Sequence, residues 1–321
     1  MGGLAMPGTD KIDAVVIGRN EGARLLACLA ALQGRVRRVV YVDSGSTDGS
    51  LTAAAAQGAQ GVALDMTQPF TAARARNAGW QALAGDPPEF VLFLDGDTQL
   101  QPGFLEAARA GFSAHPAAVV VCGRRREVAP DASLYNRLID REWDTPIGLA
   151  RACGGDALIR HAALAQVGGF DPTLIAGEEP DLCWRLRARG GEVWRIAAEM
   201  TLHDAALTRW AQWAKRSQRA GHAFAEGWAR HGFDHWGRET LRALIWGAGL
   251  PLVIVAALLV NPALAGVLAL IYPLQALRLM RQGGMAWAAV TLASKFAEAR
   301  GVLGYVLDRL RGKKRGLIEY K

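Results

Sequence analysis

Asp95-Gly96-Asp97 closes the apolar run Phe90-Val91-Leu92-Phe93-Leu94. Two carboxylates separated by a single glycine suit a hard divalent ion, because Mg²⁺ and Mn²⁺ prefer oxygen ligands and share them with phosphate. The glycine leaves space where a ligand would have to approach closely. An ordinary Asp-Gly turn has the same sequence, so the chemistry depends on what else the chain brings to this point.

The elements around the triplet are those of an alternating α/β sheet. Five apolar residues between Pro87-Pro88 and an acidic tip predict a buried strand that stops at a cleft. Residues 12–18 predict a first strand, followed by the polar break Arg19-Asn20-Glu21-Gly22 and a helix through Leu25, Leu26, Leu29 and Leu32. Residues 36–42 predict the next strand, ending in Asp43-Ser44-Gly45-Ser46-Thr47-Asp48-Gly49 ahead of a helix over 50–57. A short strand at 61–64 and a helix over 72–83 complete the alternation. Strands alternating with helices predict an α/β fold with a doubly wound, mostly parallel sheet. Ligands of such sheets lie at the carboxyl ends of the strands, where Asn20, Asp43 and Asp97 all fall. From 119 to 204 the pattern becomes mixed, with strands at 119–122 and 192–196 and helices over 133–143 and 181–189.

Composition narrows the class. The 321 residues hold about two domains, and their 51% hydrophobic content is concentrated late in the chain. The net charge of +7 is spread along the sequence without the basic, aromatic-interleaved stretches of a nucleic-acid module. It fits phosphate-bearing substrates and an anionic membrane face instead. Cys28, Cys122, Cys153 and Cys183 are widely spaced with no C-x-x-C pair, which predicts neither a zinc site nor a disulfide framework and favours a reducing compartment. Residues 1–10 form a tail without the basic head and apolar core of a secretory signal. The segment 205–242, with Trp210, Trp213 and Trp228 among basic residues, predicts amphipathic interfacial helices. Residues 243–277 contain two uncharged runs, 243–260 and 263–277, joined by Asn261-Pro262. Flanking Arg238, Arg242, Arg278 and Arg281 place both ends of this transmembrane hairpin on the cytoplasmic side of the inner membrane. The alternative is a buried helix pair in a soluble domain. Residues 278–321 then form an interfacial helix and a basic tail, with Lys313-Lys314-Arg315 against anionic lipid.

Six motifs, taken in order, resemble glycosyltransferase family 2, whose inverting members adopt the GT-A fold. They are Val15-Val16-Ile17-Gly18-Arg19-Asn20-Glu21, the 42–50 turn, Ala75-Arg76-Asn77-Ala78-Gly79, Phe93-Leu94-Asp95-Gly96-Asp97, Val167-Gly168-Gly169-Phe170-Asp171 and Gly177-Glu178-Glu179-Pro180-Asp181-Leu182-Cys183-Trp184-Arg185. The resemblance covers roughly residues 11–204 and implies a nucleotide-diphosphate sugar donor and a divalent cation, Mn²⁺ or Mg²⁺. A cation stabilises the departing diphosphate without proton transfer. The resemblance makes Asp97 the direct metal ligand and turns Asp95 toward the ribose or its neighbours. It places Asp43, with Ser44 beside it, at the nucleoside, and Asn20 and Glu21 along the same pocket. Arg76 becomes a cation near the diphosphate; otherwise it is a solvated helix-face arginine. Gly154-Gly155-Asp156 resembles the loop that shapes the donor and acceptor pocket. His203 stands where related enzymes supply a further metal ligand, although a lone histidine is often structural. Trp143 suits either stacking on a sugar ring or core packing.

Inverting transfer needs a general base opposite the leaving group, and the resemblance puts it in the pair Glu178-Glu179. The family often has Asp at the second position, so the longer Glu179 leaves the choice within the pair open, with Glu179 favoured. The alternative for either glutamate is a carboxylate at a helix start that only complements the macrodipole. The Q/R-x-x-R-W element of processive synthases is missing; Arg216-Ser217-Gln218-Arg219-Ala220 lacks the Trp. This predicts transfer of one sugar to a lipid-linked or glycan acceptor near the membrane, with membrane lipids as further partners and no nucleic acid. The competing readings are a catalytically inactive membrane scaffold of the same fold and a nucleotidyltransferase, for which Gly18-Arg19-Asn20-Glu21-Gly22 is a poor phosphate loop.

Overall fold

The computed structural model describes residues 11–313. The expected N-terminal tail, and Lys314 and Arg315 of the expected basic anchor, lie outside the described residues. The chain divides into two compact units: the first runs to Pro130 and resumes over Ile139–Ala205, and the second comprises Asp131–Leu138 and the chain from Ala206 onward.

In the first unit β1 (Ile12–Gly18), β2 (Arg38–Asp43), β3 (Gln60–Ala63) and β4 (Phe90–Asp95) lie parallel in the order β3-β2-β1-β4, with α1 (Ala23–Leu32), α2 (Ser50–Ala56) and α3 (Ala72–Gln81) in the connections. β1 and β4 are buried along almost their whole length, which is why they read as continuous apolar runs rather than as alternating strands. Alternate residues still separate into two cores: Val16 packs with Leu25, Leu29 and Phe104 on one side, and Val15 with Ala75, Phe93 and Leu182 on the other. Gly79 lets α3 lie close to the sheet, since a Cβ there would come 2.4 Å from Val15 Cγ1.

The chain continues through β5 (Thr98–Leu100), α4 (Phe104–Ala114), β6 (Ala118–Glu127), α5 (Leu134–Glu142), β7 (Gly148–Ala150), β8 (Ala157–Arg160), α6 (His161–Gln166), α7 (Glu178–Ala188) and β9 (Glu192–His203). These extend the sheet to β3-β2-β1-β4-β8-β6-β9-β5, with β7 on β9. β1, β2, β3, β4, β6 and β9 run one way, and β5, β7 and β8 oppose them. The expected doubly wound, mostly parallel sheet is therefore present within a mixed one. Both β6 and β9 outrun the strands their apolar residues predict. They pair with each other through bulged register as far as Glu127↔His203, and this polar continuation forms the floor of the site described below.

The second unit is helical: α8 (Trp210–His231), α9 (Gly237–Leu244), a π-helical turn (Ile245–Gly249), α10 (Leu250–Val260), α11 (Pro262–Ala269) and α12 (Ile271–Leu310). Gly237–Val260 and Pro262–Leu310 are each long and apolar enough to cross a membrane. Between them Asn261 caps α11, its Oδ1 accepting from the amides of Ala263 and Leu264 at 3.1 and 3.2 Å. The alternative of a buried helix pair does not match this arrangement. Leu252, Leu259, Val260 and Leu274 are 68%, 84%, 87% and 65% exposed. α12 bends at Gly284, whose φ of 81° is non-helical, and beyond the bend it packs against α8. Trp213 Nε1 donates to Ser294 Oγ at 2.8 Å. A Cβ on Gly221 would come 2.0 Å from the Glu298 carbonyl oxygen, and one on Gly301 2.0 Å from that of Gln218. The two helices meet backbone to backbone, which only glycine at these positions permits.

Gly301→Val forces α8 and α12 apart. Such overpacking costs about 1–3 kcal/mol, and each kcal/mol is worth about 2–4 °C in Tm for a unit of this size. A thermal melt in detergent should show that loss, whereas Gly85→Ala, where a Cβ meets nothing within 4 Å, should melt with the wild type.

Candidate active site

β4 delivers Asp95 to the carboxyl edge of the sheet, and the turn after it is held from the β1 side. The Gly96 amide donates to the Ile17 carbonyl at 2.8 Å. A Cβ at Gly96 would lie 3.2 Å from that oxygen and 3.2 Å from Glu21 Cγ. The close approach that calls for glycine here is thus made by the chain's own β1 end, where the sequence suggested a ligand.

β5 then pairs antiparallel with β9, Thr98 opposite His203. This register brings His203 Nε2 to 3.3 Å from Asp97 Oδ2, with both side chains largely buried. One carboxylate oxygen and one imidazole nitrogen at that separation can share a single ion at ordinary bond lengths of about 2.0–2.2 Å, and O and N donors suit Mn²⁺. The donor chemistry therefore fits the implied cation. Trp143 lies parallel to the His203 ring at 4.9 Å with an 8° interplanar angle, and the Arg125 guanidinium sits 5.3 Å from the Trp143 centroid. One face of the Trp143 ring, expected either to stack on a sugar or to pack in the core, lies against imidazole.

Arg76, on α3, is 3% exposed, so it is no solvated helix-face residue. Its Nη2 donates to Asp95 Oδ1 and its Nη1 to Glu178 Oε1, both at 2.7 Å. Burial disfavours the guanidinium, but the charges of Asp95 and Glu178 outweigh this and raise its pKa. Asp156 forms a second knot. Its Oδ1 accepts the Asp95 amide at 3.3 Å, and its Oδ2 accepts Arg125 Nε at 3.1 Å and Thr201 Oγ1 at 2.7 Å. Gly155 fits beneath both knots, since a Cβ there would be 3.0 Å from Asp95 Oδ2 and 3.2 Å from Arg76 Nη2. Gly154 beside it adopts φ +85°, which favours glycine.

The turns at the ends of β1 and β2 are joined to each other. Asn20, itself at φ 55°, accepts the Thr47 amide on Oδ1 at 2.7 Å and donates its own amide to Ser46 Oγ at 2.8 Å. Asp43 holds its turn from within, Oδ2 accepting the Gly45 and Ser46 amides at 3.1 and 2.9 Å and Oδ1 the Tyr41 hydroxyl at 3.1 Å. Ser44 beside it is 1% exposed. Glu21 pairs with Arg24 at 2.8 Å.

α7 starts at Glu178, three residues before the helix predicted from 181, so its first turn carries the acidic pair. The two side chains go to different partners. Glu178 meets Arg76, whereas Glu179 Oε1 accepts the Cys153 amide at 2.6 Å and lies 2.9 and 3.0 Å from the Cys153 and Cys183 sulfurs. Burial pushes the Glu179 carboxyl above its ordinary pKa, against the lowering effect of these hydrogen bonds. Cysteines 30 residues apart in sequence thus stand with their sulfurs 3.6 Å apart, a proximity that their spacing conceals. Arg125, Thr201, Cys153 and Cys183 are the members of the site that sequence reasoning missed. The i, i+4 spacing of Glu179 and Cys183 on one helix was the available signal for the last; for Arg125 and Thr201 it was the strand continuation past Cys122 and Ile196.

An α/β sheet with paired carboxylates at its switch edge defines a nucleotide-binding class, and comparison with known proteins narrows it. The family model described as glycosyl transferase family 2 matches residues 13–164. Pre-mycofactocin glycosyltransferases from two strains of Mycobacterium tuberculosis are 28% identical over 214 residues, which is 62% of this chain and only 43% of theirs. Among solved structures, the mannosyltransferase PcManGT from Pyrobaculum calidifontis, in complex with GDP-Man and Mn²⁺, superposes with a TM-score of 0.65 over 93% of this chain and 88% of its own at 17% identity. Glucosyl-3-phosphoglycerate synthase from M. tuberculosis, with Mn²⁺, UDP and glucosyl-3-phosphoglycerate, gives 0.50 over 70% and 80% at 20% identity. The family 2 model thus matches most of the first unit, and the solved structures share its fold.

Removing Arg76 leaves two carboxylates without their shared cation. Arg76→Met should lower stability strongly, and Glu178→Gln in the same chain should recover part of the loss. A double-mutant cycle by denaturant unfolding is expected to show a coupling of about 1–3 kcal/mol. Additive losses would mean that the pair is not energetically linked.

Proposed function

We propose that the protein moves one sugar from a nucleoside-diphosphate sugar to a membrane-proximal, lipid-linked or glycan acceptor, with inversion and with the help of a divalent cation. The observation that carries this reading is the convergence of Asp97 and His203 with the Asp95–Arg76–Glu178 chain and Glu179 at the carboxyl edge of one sheet. The match of residues 13–164 to the family 2 model and the nucleotide-sugar and Mn²⁺ complexes of the two structural neighbours support it.

In this reading Asp97 and His203 hold the cation, which when bound offsets the charge growing on the leaving diphosphate. Asp95, oriented by Arg76 and by its amide bond to Asp156, faces the donor ribose. Asn20, Glu21, Asp43 and Ser44 border the nucleoside, and Gly154, Gly155 and Asp156 shape the space between donor and acceptor. Glu179 takes the acceptor hydroxyl's proton. Its burial supports that role, because a carboxylate whose pKa is raised toward neutrality is a better base. Trp143 keeps His203 in place by stacking. The two exposed apolar helical stretches support attachment to the cytoplasmic membrane with both ends of the hairpin in the cytoplasm, which leaves the catalytic unit where nucleotide sugars are made.

A thermal-shift panel of UDP, GDP, CDP and dTDP and their common sugars, with and without Mn²⁺ or Mg²⁺, tests the reading. A ligand at about a hundred times its Kd adds about 2.7 kcal/mol, so one nucleotide should shift the melt, only with metal, and not in Asp97→Ala. Absence of any shift in folded protein would favour the inactive scaffold. Glu179→Gln should keep the donor-induced shift and lose transfer by about 10²–10⁴-fold. If Glu178→Gln behaves this way instead, the base is its neighbour. The anomeric configuration of the product, read by NMR, checks inversion.

A further inference from the structure

We infer that Cys153, Glu179 and Cys183 form a second metal site, a thiolate site for Zn²⁺ that is chemically separate from the oxygen–nitrogen pair Asp97–His203. The three ligand atoms lie within 4.8 Å of one another. The sulfurs are 3.6 Å apart. Two thiolates bound tetrahedrally at the usual Zn–S length of about 2.3 Å stand about 3.8 Å apart, so the sulfurs need almost no movement. Glu179 Oε1 is 2.9 and 3.0 Å from them, against about 3.5 Å in a tetrahedral site with ordinary Zn–O and Zn–S lengths. A small rotation of one carboxylate makes up that difference.

The supports are suited to a site as well. Glu179 and Cys183 are four residues apart on α7, so both ligands project from one rigid face. The Cys153 amide donates to Glu179 at 2.6 Å and orients the carboxylate, the kind of outer hydrogen bond that tunes ligands. Cys183 and Glu179 are buried while Cys153 is half-buried, which gives an ion one side of entry and leaves its fourth position to solvent. The balance is simple: one Zn²⁺ displaces the protons of two thiols, and the two thiolates and one carboxylate leave a net charge of −1. Arg125 answers it, with Nη2 3.4 Å from where a Cβ on Gly154 would lie and a direct electrostatic interaction with Glu179. Soft thiolates select Zn²⁺ over Mg²⁺ and Mn²⁺, so this site does not compete for the cation of the transfer reaction.

Occupancy has a functional consequence that rests on the proposed role of Glu179. A carboxylate ligating zinc cannot accept the acceptor's proton, so zinc would act as an inhibitor at the base while leaving donor binding intact. The binding claim itself does not depend on that role. The experiment is titration of the reduced full-length protein with Co²⁺ and with Zn²⁺ in excess Mg²⁺, read by thiolate-to-cobalt charge-transfer absorption and by competition with a zinc-responsive dye. One ion per chain should bind with the thiolate band. Cys153→Ser and Cys183→Ser should each lose the band and at least tenfold in affinity, and Asp97→Ala should keep both. Absence of the band in folded wild-type protein with titratable thiols, its persistence in the Cys153→Ser/Cys183→Ser double variant, or a Cys153–Cys183 disulfide found in its place would each overturn the site. In parallel, zinc should suppress transfer by the wild type and spare Cys183→Ser, each compared with its own zinc-free rate. Binding without suppression would uphold the site and remove Glu179 as the base.

Discussion

A single guanidinium connects the two acidic motifs of the first unit. Arg76 reaches Asp95 at the end of β4 and Glu178 at the start of α7, both at 2.7 Å, and is itself 3% exposed. A charge so enclosed is tolerable only when paired and hydrogen-bonded, so the positions of α3, the β4 turn and the first turn of α7 are mutually dependent. Arg125 and Asp156 repeat the device a few ångströms away. Taken together, Asp95, Asp97, Asp156 and Glu178 set four formal negative charges against two from Arg76 and Arg125. Acidic groups outnumber the arginines here even before Glu179 is counted, and under the proposed function a divalent cation at Asp97–His203 would offset part of that excess.

The sequence was most legible where one kind of signal ran without interruption. β1 and β4 were visible because both faces of a parallel strand are covered and the run stays apolar. Asp95 and Asp97 were legible because they follow such a run directly. Arg125 and Thr201 were not. They lie on β6 and β9 beyond the point where apolar residues give way to charged ones, and there pairing between the two strands maintains the sheet without help from hydrophobicity. The meeting of Cys153 and Cys183 was hidden for another reason: it joins a loop to a helix, and local spacing carries no record of tertiary closure. The direction of each member of Glu178-Glu179 was equally invisible, because adjacent residues at a helix start diverge by about 100° and only the surroundings decide what each one meets.

In the second unit the apolar runs were evident from composition, but the glycines that matter were not. Gly221 and Gly301 are ordinary letters in helical sequences, yet each admits the backbone of the opposite helix at a distance no side chain allows. Close backbone packing of this kind is what small residues at a helix interface allow. The outward-facing leucines and valines of Gly237–Val260 take no part in it.

The bonds between Asn20 and the Ser46–Thr47 backbone and side chain make one wall of two loops. They also restrict how the protein can change. A residue altered on either turn disturbs its partner, because these bonds and that of the Gly22 amide to Asp48 at 3.1 Å tie the two together. If these turns border the donor nucleoside as proposed, a change of donor preference requires paired changes across β1 and β2, and one turn transplanted alone would carry its sequence without its geometry.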